Sequence, residues 1–95
     1  MNKLHRQLVV LCIQHEEEWT KAFKEGKLVV GISNGSGDFR VVISWYNEDW
    51  SKNQIVVQKF DDEGRAIQVM KKVKQFVYNK LGEWCSCWLL KLFYF

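Results

Sequence analysis

Three groups of side chains have the types and spacing to do chemistry, and each would do a different kind. Gly31-Ile32-Ser33-Asn34-Gly35 has the G-x-S-x-G spacing of a nucleophile elbow, which exposes a serine hydroxyl on a sharp strand-to-helix turn. Here a second strand-like run follows instead of a helix, and no histidine is in range to act as base. The segment reads as a glycine hairpin turn. The glycines around it fail as a phosphate loop for the same reason, since no helix N-terminus follows to receive the anion. Cys12, His15, Cys85 and Cys87 could together offer soft ligands to zinc, but the single residue between Cys85 and Cys87 is a shorter gap than zinc knuckles use. Thiols packed as small hydrophobes account for them more simply. His15-Glu16-Glu17-Glu18 lacks the second histidine that would complete a metal pair on one helix face, so the acids read as a solvated face. The expectation is a protein with no catalytic residues, no metal and no cofactor, and so not an enzyme.

The elements that must position these residues belong to one small domain. A chain of 95 residues can bury a single modest core but cannot hold separate cofactor and substrate lobes. It is 47% hydrophobic and 26% charged, as globular chains are. Five Trp, three Tyr and six Phe exceed what so small a core comfortably buries, so some aromatics are expected to face a partner. The net charge of +3 is uneven: the basic residues between Gly64 and Gly82 (Arg65, Lys71, Lys72, Lys74 and Lys80) have no acid among them. That excess permits an acidic partner or nucleic acid without requiring either. The odd number of cysteines and the lack of a signal-peptide pattern predict a reduced, cytoplasmic setting.

Leu4, Leu8, Leu11, Cys12, Trp19, Ala22 and Phe23 recur every three or four positions and predict one helix over 2–25, stopped by Gly26. Val9, Val10 and Ile13 lie off that stripe and leave an apolar patch on its outer side. Strands are predicted at 27–34, 38–46 and 54–60, with the turn residues Asn34 to Asp38 making a hairpin of the first two. In the second strand Val41, Ile43 and Trp45 form the inward set, while Arg40, Val42, Ser44 and Tyr46 face the other way. The alternation in 54–60 is too weak to fix its inward face. A second helix is predicted over 62–81, capped by Asp61 or Asp62, striped with Ala66, Val69, Met70, Val73, Phe76, Val77 and Leu81, and ended by Gly82. The apolar tail at 84–95 fits either a helix, through Trp84, Trp88 and Leu92, or a fourth strand by alternation. It is too short to span a membrane, which takes about 20 apolar residues.

The simplest arrangement is an α+β two-layer sandwich, a three-stranded antiparallel sheet with both helices on one face (α-β-β-β-α) and an apolar C-terminal tail. The order of elements resembles that of double-stranded-RNA-binding domains, whose last helix starts in a lysine cluster, where this one starts with Asp61, Asp62 and Glu63. Three strands followed by a helix also resemble the AP2-type DNA-binding domain. That resemblance implies a sheet presenting Arg40, Trp45, Tyr46, Trp50 and Lys52, here with Glu48 and Asp49 among them. The reading that follows is a small binding protein acting on another protein through Arg40, Tyr46, Trp50 and Lys52, of a kind that would suit a phage or viral accessory protein inhibiting or adapting a host factor. A nucleic-acid-binding sheet is the alternative. A structural subunit of a homo-oligomer is a third, and a homodimer would bury Val10, Ile13, Trp84, Trp88 and Leu92.

Overall fold

The computed structural model describes residues 2–93, with side chains for 2–85. Its elements are α1 (Lys3–Gln14), α2 (Glu16–Lys24), β1 (Leu28–Asn34), β2 (Phe39–Tyr46), β3 (Lys52–Phe60) and α3 (Glu63–Phe93). The three strands form one antiparallel sheet in the order β1-β2-β3, in an α+β chain.

The single N-terminal helix expected over 2–25 is two helices. Asn2 caps α1 by accepting the His5 amide at 2.8 Å. At His15 the backbone leaves helical geometry (φ −114, ψ 24), and α2 restarts with Glu16, Glu17 and Glu18 in its first turn. Acids suit that position because the unpaired amides of a helix start carry partial positive charge. The His15 ring stacks on Trp19 with centroids 5.1 Å apart and lies 5.3 Å from Trp45, so the break is held by aromatic packing. Gly26 does stop α2. It takes φ 71, and the bonds Lys27 N to Ala22 O and Gly26 N to Phe23 O close a Schellman motif.

β1 and β2 pair over seven residues without interruption. β2 and β3 do not: Val42 opposes Val56 and Val41 opposes Gln58, so Val57 is an extra residue in a β-bulge. The bulge explains the weak alternation of this strand. It changes the side-chain parity, so that Val57 at the bulge and Phe60 beyond it are both buried in the core, with Ile55 packed against it. Gln7 fastens α1 to this point by donating its side-chain amide to the Val57 carbonyl at 3.2 Å.

Asp62 caps α3, accepting from the Arg65 amide at 3.2 Å, while its carbonyl accepts from Ala66. Gly82 does not end the helix, which continues to Phe93. Glycine in a helix interior costs only about 1 kcal/mol relative to alanine, too little to break a helix already fixed by tertiary packing. The backbone of 84–93 is therefore helical rather than a fourth strand.

One cluster of buried residues joins all six elements: Leu8 and Cys12 of α1, Trp19 and Ala22 of α2, Leu28 and Val30 of β1, the inward set Val41, Ile43 and Trp45 of β2, Val57 and Phe60 of β3, and Ala66, Val73, Val77 and Leu81 of α3. Val42 and Ser44, on the opposite side of β2, are also buried, because the central strand is flanked on both sides. Burial pushes the Cys12 thiol up to about 11, with nearby Lys80 opposing the shift. At neutral pH only about 10⁻⁴ of such a thiol is ionised, so Cys12 behaves as a core hydrophobe.

Candidate binding surface at the β2–β3 loop

β2 and β3 are joined by Asn47-Glu48-Asp49-Trp50-Ser51, and this short loop is fastened at several points. The Asn47 amide donates to the Ser51 carbonyl and the Trp50 amide to the Asn47 carbonyl, both at 3.0 Å. Asp49 Oδ1 accepts the Ser51 hydroxyl at 2.7 Å and the Ser51 amide at 3.1 Å, while Asn47 Nδ2 donates to Ser51 Oγ at 2.8 Å. The Ser51 hydroxyl, and after it the Ser51 amide, lowers the Asp49 carboxyl from its ordinary value. A lowered folded-state pKa stabilises the loop at all pH values above the ordinary carboxylate range and is lost only as pH falls through the depressed value. The fastening is complete at neutral pH.

These bonds hold Trp50 at φ 65, a left-handed conformation that costs a bulky L-residue about 1–2 kcal/mol. The result is a Trp that is 66% exposed. The Lys27 ammonium sits 4.4 Å over its ring, and the Tyr46 ring centroid is 6.1 Å away. Tyr46 pairs with Lys52 across the ladder, so Tyr46, Trp50 and Lys52 come together. Arg40 does not join them. It lies six residues back along β2, about 20 Å at strand spacing, where it bonds Asp38 at 3.1 Å beside the β1–β2 turn. Trp45, which the AP2-type resemblance would place on the sheet surface, is 4% exposed and belongs to the core.

Beside the loop, α2 and the end of β2 enclose an open cleft of about 490 Å³ lined by residues that include Glu18, Lys21, Glu25, Tyr46, Glu48 and Asp49. Lys21 is ion-paired with Glu48, a contact that raises the lysine pKa and lowers that of the carboxylate. Glu25 pairs with Lys27 at 3.3 Å, and Glu18 accepts the Trp45 indole N–H at 3.1 Å while lying 3.9 Å from His15 Nδ1. The contacts of Lys21 with Glu48 and of Lys27 with Trp50 were hidden from the sequence because each lysine reaches the loop from more than twenty positions away. Local spacing carries no trace of such pairings.

The other residues singled out from the sequence lie elsewhere. Ser33 is in β1 opposite Arg40, within a hairpin. Cys85 is half-buried near the end of the described side chains, and among the described residues no group of three metal-ligating side chains comes together. Val10 and Ile13 are 50% and 62% exposed on α1. Trp84 packs in part against the core of its own chain, and the side chains of Trp88 and Leu92 lie outside those described. Among the described residues no helix is long and apolar enough to cross a membrane. No family model, curated protein or solved structure matches this chain.

Proposed function

We propose that the chain is a non-enzymatic binding protein that holds a partner protein at the β2–β3 loop, with Trp50 as the anchor and Tyr46 and Lys52 beside it. The observation that carries the reading is Trp50 itself: a large aromatic, two-thirds exposed, kept in a strained backbone conformation by a loop bonded at several points. Strain of this kind persists only where surrounding structure over-determines it, and exposed tryptophans are the residues most enriched among binding hot spots. The helices form one layer over the inner side of the sheet in this reading, and the loop lies at its end. The four carboxylates around the cleft oppose phosphate, which weighs against the nucleic-acid alternative. The half-buried and buried free thiols suit a reducing, cytoplasmic setting.

Trp50→Gly separates function from stability. Glycine relieves the left-handed strain but loses the Lys27 contact, worth about 0.5–1 kcal/mol, so folded stability should stay within about 1 kcal/mol of the parent. Affinity capture from cells expressing the chain should recover a protein that Trp50→Gly retains at least about tenfold less well, the loss expected of a tryptophan hot spot. Equal retention by the variant would remove the loop from the binding surface. A DNA or RNA complex that weakens steeply with salt and with Lys52→Ala would establish the alternative instead.

A further inference from the structure

The two edges of the sheet are not alike. β3 is defended as an edge strand commonly is, with the bulge at Val57 and with Lys52 and Lys59 along it. β1, Leu-Val-Val-Gly-Ile-Ser-Asn, has no charge, no proline and no bulge. Which of its backbone groups are used up follows from three hydrogen bonds. Tyr46 N donates to Lys27 O and Gly35 N to Asp38 O, so the odd-numbered residues turn their amides and carbonyls toward β2. The Leu28 carbonyl is instead taken by the Tyr78 hydroxyl at 3.1 Å, so the even-numbered residues turn theirs outward. Past Leu28 the outward groups belong to Val30, Ile32 and Asn34.

We infer that β1 pairs with β1 of a second copy of this chain, antiparallel about a two-fold axis at Gly31, joining two sheets into one. This surface is separate from the β2–β3 loop, and the inference does not depend on the function proposed for that loop. A row of outward amides and carbonyls is a template for pairing with another strand. The sequence makes β1 complementary to itself. With Gly31 opposite its copy, Val30 and Ile32 of each chain become a hydrogen-bonded pair with Ile32 and Val30 of the other, and Asn34 reaches the Leu28 amide. Val29, which is 51% exposed, gains Ser33 of the second copy as its cross-strand neighbour. Lys27 falls opposite Gly35, so no like charges face each other. At the axis the two chains make a non-hydrogen-bonded pair, whose Cα atoms are only about 4.5 Å apart, and glycine leaves that approach open.

Gly31 also supplies the test. A Cβ there would meet nothing within 4 Å among the described residues, so a side chain on this side should leave the fold intact. The full chain should sediment as a dimer. Gly31→Lys and Gly31→Glu, each placing like charges face to face at the axis, should sediment as monomers with unchanged circular dichroism, and an equimolar mixture of the two should recover the dimer. If either variant fails to fold, amide exchange on the unaltered chain replaces it: the Val30 and Ile32 amides should exchange more slowly as concentration rises. A parent chain that stays monomeric at its highest soluble concentration overturns the inference. So does a dimer indifferent to both substitutions, whose interface must then lie elsewhere, or exchange at Val30 and Ile32 that does not change with concentration.

Discussion

Trp19→Ala should destabilise the domain by about 3–5 kcal/mol, the range for deleting a fully buried tryptophan. Trp19 has no exposed surface, stacks on His15 and meets Trp45 edge-on at 5.5 Å, so its loss would empty the junction of α1, α2 and β2. Domains of this size have a total margin of about 5–15 kcal/mol. The melting temperature should fall by roughly 15–30 °C or the cooperative transition should vanish. Trp19→Phe should cost far less, about 1–2 kcal/mol, because it keeps a ring in place and removes an indole N–H that has no hydrogen-bond acceptor among the described residues. Urea titration of the three proteins measures both differences. A cost below about 1 kcal/mol for the alanine variant would mean that the junction is not packed as described.

The second large effect concerns where the chain can be cut. Leu81 is fully buried and Trp84 packs in part against the same core, so a chain ending at Lys80 loses about 4–6 kcal/mol of apolar packing. A chain ending at Cys85 keeps both residues. It should melt at least about 15 °C above the chain ending at Lys80, the shift that restoring several kcal/mol brings to a domain of this size. If the chain ending at Cys85 is unfolded, the last ten residues are needed by the core. If the chain ending at Lys80 is as stable as the full protein, the burial of Leu81 contributes nothing.

The sheet and the stripe of the last helix were legible in the sequence because both are periodic. Val41, Ile43 and Trp45 alternate along β2, and Ala66, Val73, Val77 and Leu81 repeat at helical spacing. The break at His15 was missed because the apolar stripe runs on across it from Cys12 to Trp19. The signal present was the run Glu16 to Glu18, which marks a helix start better than a solvated face in mid-helix. Gly82 misled in the opposite direction, as a glycine that the packing of Leu81 and Trp84 overrides. At the candidate surface, Tyr46, Trp50 and Lys52 stood close in sequence and could be grouped. Arg40 was grouped with them by residue type alone, although strand geometry puts six residues of separation at the far end of β2. Nothing in a linear pattern could show that Lys27 lies over Trp50 or that Lys21 meets Glu48.

The left-handed backbone at Trp50 also bears on how the gene can drift. The tryptophan codon UGG becomes the glycine codon GGG by a single base change, and glycine is the residue that occupies φ 65 without steric penalty. A population selected only for abundant, folded protein would find that substitution early and tolerate it. In a library of all single-codon changes, the proposed role of Trp50 predicts that Trp50→Gly holds its frequency when cells are sorted for protein level and disappears when they are sorted for partner binding. If the β2–β3 loop is the binding surface proposed above, position 50 is where selection for folding and selection for function come apart, one mutational step from the present sequence.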